Sequence, residues 1–100
     1  MQIGNYQFHR LAFMMFLQLE ADEKAQVRER LLSLDGTPAA QWPATLAKKL
    51  PGDRSLYLVR IDDSLRAFVQ TAPGQQPEVM DITRQETIDF MSQAAAKNGA

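Results

Sequence analysis

The chain has 100 residues, of which 45% are hydrophobic and 23% charged, and its formal net charge is −1. This length supports one domain, residues 1–100, and the composition is that of a globular chain, which excludes disordered and fibrous classes. The absence of cysteine excludes disulfide frameworks and thiolate metal sites. Because the sequence pI is about 5.7, any nucleic-acid binding must depend on a local basic patch.

The N-terminal segment predicts a short strand over residues 5–9 and a helix over residues 10–19. The helix is apolar all round its circumference, so we expect a core helix covered on several sides. Its apolar run, residues 11–19, is too short to span a membrane, and the charged residues that follow favour a buried helix over a signal peptide. We therefore expect a soluble, cytoplasmic protein.

A second helix is predicted over residues 22–34, because Val27, Leu31 and Leu34 recur at a spacing that places them on one face. The chain should break between the two helices at residues 19–21, although no glycine or proline enforces the break. The two segments are expected to form an antiparallel helical hairpin or one bent helix.

The middle of the chain is divided by prolines. A short helical turn is predicted after Thr37 and Pro38, which suit the N-cap and the first helical position. Another helix is predicted over residues 44–50, with Lys48 and Lys49 in its last turn, where the helix dipole favours cations.

The second half of the chain has the hydrophobic period of strands. Two strands and the polar turn Asp62-Asp63-Ser64 predict a β-hairpin, and a third strand, a helix and a frayed tail follow. These predicted elements span residues 56–61, 65–69, 79–83, 84–96 and 97–100. Grouped helices and consecutive strands predict an α+β fold, with a small, mostly antiparallel sheet, an N-terminal helical hairpin and a C-terminal helix.

The hairpin register determines where its charged side chains lie. If the turn is centred on Asp63, one face is apolar and Arg60 lies opposite Arg66 on the other face. Like charges directly opposite cost about 0.2–1 kcal/mol, which an anion or a carboxylate between them can offset, and the planar arginine fork suits phosphate. Two interpretations remain open: an anion-binding patch on an exposed sheet face, or local neutralisation by Asp62, Asp63 and Asp81.

Other chemical signals are sparse. Lys48, Lys49 and Arg54 precede the hairpin and extend a basic stripe, since residues 48–66 contain five basic and three acidic side chains. There is no glycine-rich phosphate loop, zinc-protease motif or catalytic triad. His9 is the only histidine and is expected to be structural, so neither a metal site nor a cofactor is predicted.

Three stretches of the chain resemble a known protein family. They are the helical span 13–34, the hairpin 56–68 with its arginine, short turn and arginine, and the stretch 80–90. In this last stretch a strand leads into Arg84 and, six residues later, Phe90. Their order and spacing, over about residues 6–92, resemble the RelE/ParE superfamily of bacterial toxin–antitoxin toxins. The resemblance implies a small sheet cradled by helices, with function on the concave face.

The resemblance also implies an activity. RelE-like members cut messenger RNA on the ribosome without metal, by attack of the RNA 2′-hydroxyl on the adjacent phosphate, and basic side chains stabilise the charged transition state. By this resemblance, the catalytic residues are the three arginines Arg60, Arg66 and Arg84. RNA binding is expected from three further basic residues, Lys48, Lys49 and Arg54.

The resemblance leaves the function open in one respect. Phe90 stands where ribonuclease members often carry a tyrosine or histidine, and phenylalanine cannot transfer a proton. ParE-like members inhibit DNA gyrase without cleaving RNA, and an inactive interaction module is a third alternative. A toxin should bind a cognate antitoxin that adds a strand or lays an amphipathic helix into a groove, and residues 11–19 are one place for it.

Overall fold

The structure, a computed structural model, describes residues 1–52 and 55–98 of the chain. Within these ranges it contains six strands and three α-helices. The strands are Gln2–Ile3 (β1), Tyr6–Phe8 (β2), Ala47–Lys49 (β3), Ser55–Arg60 (β4), Leu65–Thr71 (β5) and Glu78–Arg84 (β6), and the helices are Arg10–Leu17 (α1), Ala21–Leu34 (α2) and Gln85–Asn98 (α3). The α+β class is confirmed.

All six strands form one sheet in the order β1-β2-β6-β5-β4-β3. Every neighbouring pair is antiparallel except β2 and β6, which run parallel, so the predicted mostly antiparallel sheet is confirmed. The hairpin of β4 and β5 has the predicted register, in which Val59 lies opposite Ala67 and Arg60 lies opposite Arg66.

The core lies against one face of the sheet. Along β5, buried residues alternate with half-buried ones, so only one face is fully covered. The predicted stripe on α2 is confirmed, since Val27, Leu31 and Leu34 are at most 4% exposed. Trp42 is also buried, and its Nε1 donates a hydrogen bond of 3.0 Å to the Thr37 carbonyl.

Helix α1 differs from the prediction. It was expected to be covered on several sides, but only Ala12 and Phe16 are buried, whereas Leu11, Met14 and Leu17 are about half exposed. The physical reason is that α1 packs on β6 and β2 with one face. No further layer among the described residues covers its other side, so an apolar helix surface remains in contact with water.

The segment that contains the two lysines is a strand, so the helix predicted over residues 44–50 is wrong. The Leu46 and Ala47 amides donate to the Pro43 carbonyl and turn the chain, after which Ala47–Lys49 pairs with β4. The Arg60 amide also donates to the Leu46 carbonyl, at 2.7 Å. A helix of seven residues is marginal in water, and the open edge of β4 offers backbone partners that such a helix cannot match.

The strand predicted over residues 5–9 is confirmed as β2, and a strand that was not predicted, β1, precedes it; Gly4 turns the chain between the two. Gly4 has φ +53°, and a Cβ atom built on it would lie 2.6 Å from Asp35 Oδ2 and 3.0 Å from Leu32 Cδ2. This residue therefore combines a left-handed backbone with a close approach to the end of α2.

Substitution of Gly4 tests both effects. We expect Gly4→Ala to lower the free energy of unfolding by about 1–2 kcal/mol through left-handed strain alone, and further because Asp35 must move. Gly36→Ala is the control: its φ is +81°, and an added Cβ there has no atom within 4 Å. Equal losses for the two variants in urea denaturation would show that the contact with Asp35 contributes nothing.

Helix α3 follows β6 directly and continues through Asn98, two residues into the tail predicted over 97–100. Residues 99 and 100 lie outside the described residues. Phe90 and Met91 on α3 are 71% and 64% exposed. In the part of the chain that the structure describes, no helix has the length and apolar character needed to cross a membrane.

Candidate nucleic-acid interface

The face of the sheet turned away from the core, called the outer face below, brings together several predicted site residues. Lys48 lies opposite Leu58, which lies opposite Phe68, and the pair of Arg60 and Arg66 is two residues further along the same face. None of these side chains is buried. The outer face is therefore both basic and partly apolar.

A cleft of about 170 Å³ opens on this face. It is lined by Lys48, Leu58, Arg60, Arg66 and residues 44–47, which bring β3 against the hairpin. The expectation that the two guanidinium groups share one open surface is confirmed. Half of the six predicted site residues thus line a single cleft, large enough for a small anion such as a phosphate group.

Arg60 is paired with a carboxylate. Its Nη2 donates to Asp63 Oδ1, and the two side chains are 46% and 95% exposed. Local neutralisation, the second interpretation from the sequence, therefore holds for this arginine. An exposed ion pair of this kind contributes little to stability, because water solvates both partners well and salt screens them.

Arg66 is held by backbone carbonyls. Its Nη1 donates to the Asp62 carbonyl at 2.5 Å and to the Leu65 carbonyl at 3.0 Å. Among the described residues it forms no ion pair. The guanidinium is thus oriented by neutral acceptors while its positive charge stays available to an anion.

Asp62 shapes the turn. Its Oδ1 accepts hydrogen bonds from the Ser64 amide at 2.8 Å and the Leu65 amide at 2.7 Å. Burial acts to raise the pKa of Asp62, but these hydrogen bonds outweigh burial and hold the pKa below its usual value of 3.8. The carboxylate is therefore committed to the backbone of the turn, and Asp63, the next residue, is the one that reaches Arg60.

Arg84 does not join the other two arginines. It lies opposite the buried Leu65, on the helix side of the sheet. Its Nη1 donates to Glu23 Oε2 at 2.5 Å, and its Nη2 donates to Glu23 Oε1 at 3.2 Å. The contact links the start of α2 to the end of β6, so the structure places Arg84 where it ties elements together.

A β-bulge explains this position. The register between β5 and β6 shifts at Phe68/Val69: Phe68 lies opposite Asp81 and Val69 opposite Val79, which leaves Met80 as an extra residue. After the bulge, the alternation of side chains on β6 is reversed. In a regular strand with Val79 facing the core, Arg84 would project from the outer face; the bulge turns it to the helix side.

Of the other residues singled out from the sequence, Lys49 and Phe90 do not line the cleft. Lys49 is opposite Tyr57, whose ring packs edge-on against Trp42 at a centroid distance of 5.3 Å, so Lys49 lies on the helix side of β3. Arg54 lies outside the described residues. Phe90 is on α3 and supplies an exposed aromatic ring without a titratable group.

Glu23 has a structural role that was not predicted from the sequence. Its Oε1 accepts the Glu20 amide at 3.1 Å in a capping box, which starts α2 at the predicted break without glycine or proline. The hydrogen bond from Arg84 is the main reason that the pKa of Glu23 lies below its usual value of 4.5. The spacing of Glu20 and Glu23 was the available signal in the sequence.

The Glu23–Arg84 pair predicts a pH dependence of stability. A lowered folded-state pKa stabilises the fold above the usual value of 4.5, and this contribution is lost as the pH falls below it. We expect Glu23→Gln to lower the Tm at about pH 7, and the gap to wild type to narrow toward about pH 3. Glu29→Gln, on an exposed part of the same helix, is the control. If both variants lowered the Tm equally at every pH, the stabilising role of the Glu23–Arg84 pair would be contradicted.

The described residues offer no ready metal site. Within residues 1–52 and 55–98, no three histidine, aspartate or glutamate side chains come together as a possible ligand set.

Comparison of the chain with protein-family models, with curated proteins and with solved structures finds no match. The fold and the cleft define a small α+β domain with a cationic cleft on an open sheet face.

Proposed function

We propose that this chain is the toxin of a bacterial type II toxin–antitoxin system, a RelE-like protein that acts in the cytoplasm and cleaves ribosome-bound messenger RNA. The observation that carries the proposal is the placement of Arg60 opposite Arg66 in one cleft with Lys48. Two guanidinium groups on one open surface can each donate two hydrogen bonds to phosphate oxygens, and Lys48 adds a point charge for the neighbouring backbone.

The proposed reaction needs only the RNA, these side chains and water. The 2′-oxygen forms a bond to the adjacent phosphorus, the bond to the 5′-oxygen breaks, and the products are a 2′,3′-cyclic phosphate and a 5′-hydroxyl. Arg60 and Arg66 stabilise the negative charge that develops on the phosphate oxygens. Because the cleft contains no histidine or tyrosine, water accepts the 2′ proton and returns one to the leaving oxygen.

A ParE-like toxin that inhibits DNA gyrase is the second candidate. It is favoured by Phe90, which exposes a large apolar ring where an RNA-cleaving toxin would use a proton-transferring group. Exposed aromatic residues are typical of protein-binding surfaces. In this alternative the basic outer face would bind an acidic protein surface or DNA near it.

The proposed partner is an antitoxin whose amphipathic helix covers α1. Leu11, Met14 and Leu17 form a half-exposed apolar stripe there. Their spacing is that of a helix face, which suits a partner helix laid alongside. If the protein is a toxin, co-expression of a small protein encoded beside it should restore growth, and polar substitutions on this stripe should weaken the rescue.

Inducible expression of the full chain in a bacterial host tests the proposed function. We expect growth arrest together with new primer-extension stops inside translated messages, and a doubly substituted Arg60→Gln/Arg66→Gln chain should give neither. Growth arrest with intact messages and loss of gyrase supercoiling by the purified protein would favour the second candidate. Normal growth at full expression would contradict both and leave an interaction module.

A further inference from the structure

Among the described residues, Asp63 is the one carboxylate that is bonded to a residue of the cleft. It is 95% exposed, and in the described part of the chain it accepts a hydrogen bond from Arg60. Asp62, one residue earlier, is committed to the turn backbone through the Ser64 and Leu65 amides. The carboxylate of Asp63 can therefore rotate into solvent without breaking the turn.

We infer that Asp63 is a built-in competitor for the bound phosphate: its carboxylate occupies the Arg60 guanidinium until a phosphodiester displaces it. This inference rests on the proposed function, since it concerns the regulation of the same cleft. Asp63 presents to Arg60 the same chemistry as the ligand, an oxyanion that accepts from guanidinium N–H groups. The free protein thus carries a stand-in for the phosphate.

The competition favours the nucleic acid. Asp63 bonds one arginine in a highly exposed position, where ion pairs are weak. A phosphodiester in the cleft reaches Arg66 and Lys48 as well, so it makes contacts that Asp63 does not make. A single small anion gains less binding free energy. It must also displace Asp63, but it has no adjacent phosphates to bind the neighbouring basic side chains.

The two arginines should consequently act in sequence. Arg66 forms no ion pair among the described residues and is oriented by the Asp62 and Leu65 carbonyls, so it makes the first contact with an incoming phosphate. Arg60 then exchanges Asp63 for the phosphate. Asp63 therefore lowers the affinity of the cleft for phosphate groups. It also makes binding depend more strongly on a ligand that carries several phosphates.

Binding of a short, fluorescein-labelled 2′-O-methyl oligouridylate, followed by fluorescence anisotropy, tests this inference with the full chain. The probe has phosphates but no 2′-hydroxyl, so binding is measured without cleavage. Asp63→Asn should bind about two- to fivefold more tightly than wild type, the range expected for release of an exposed ion pair. Inorganic phosphate should compete better against the probe on this variant.

Asp81→Asn is the matched control. Asp81 lies on the outer face opposite Phe68 and accepts the Ile82 amide at 2.8 Å, which an asparagine oxygen can still do. Both variants remove one negative charge, but only Asp63→Asn frees Arg60. In an Arg60→Gln background, Asp63→Asn should improve binding no more than Asp81→Asn does, because the competition has been removed.

The outcomes separate this inference from the proposed function. If Asp63→Asn and Asp81→Asn bind equally while Arg66→Gln weakens binding, the competition is overturned and the phosphate cleft stands. If the gain from Asp63→Asn persists undiminished without Arg60, the competition is also overturned. If neither wild type nor any variant binds the probe, both the competition and the proposed cleft are overturned.

Discussion

Leu31→Ala is expected to lower the free energy of unfolding by about 2–5 kcal/mol. The Leu31 side chain is fully buried near the C-terminal end of α2, among the core residues that join the helix to the sheet. Its removal deletes apolar contacts and leaves a cavity that a close-packed core of this size cannot fill by relaxation. Urea denaturation at neutral pH measures the loss directly.

Leu32 provides the control within the same helix. It is the next residue, it has the same side chain, and it is 48% exposed. Leu32→Ala has the same effect on helix propensity, so the difference between the two variants isolates burial. We expect a loss below about 1 kcal/mol for Leu32→Ala, and comparable losses for both variants would contradict the packing of α2 described above.

The parts of the fold that could be predicted from sequence are those in which local pattern and tertiary environment agree. The hairpin register follows from a period of two in β4 and β5 and from a polar turn centred on Asp63, so the opposition of Arg60 and Arg66 could be predicted. The stripe of Val27, Leu31 and Leu34 on α2 is similarly local. For each pattern, only one strand register or helix orientation buries the apolar side chains.

Other parts depend on neighbours that the sequence does not specify. The strand Ala47–Lys49 forms because β4 has a free edge, and no local pattern contains that information. The exposure of Leu11, Met14 and Leu17 depends on the number of layers that cover α1. An apolar segment predicts burial, but a second covering layer has to be supplied by another part of the chain or by a partner.

The position of a site residue could likewise be predicted only where its strand is regular. The arginines of the hairpin could be placed because their strands are regular, whereas the position of Arg84 depends on the bulge opposite Phe68 and Val69. Val79 and Ile82 are three residues apart and both buried, which a regular strand does not allow. That spacing of apolar residues was the signal in the sequence for the bulge, and hence for the reversed side of Arg84.

Arg66→Gln is expected to reduce the proposed RNA cleavage about 10²–10³-fold, the usual loss when one preorganised donor to a developing oxyanion is removed. Its guanidinium is already oriented by the Asp62 and Leu65 carbonyls, so it reaches the transition state without reorganisation. Arg60→Gln should cost less, because Arg60 must first leave Asp63. Primer extension on a message translated in a cell-free system, with purified protein added over time, gives the rates.

Arg66→Lys separates charge from geometry. Lysine keeps the positive charge but lacks the planar fork, so it should recover only a small part of the lost rate. Arg28→Gln removes the same charge from an exposed position on α2 and should leave cleavage unchanged. If Arg66→Gln and Arg28→Gln lost activity equally, net charge alone would account for the effect. The carbonyl-oriented guanidinium of Arg66 would then have no special part in the reaction, because a preorganised donor acts only from its own position in the cleft.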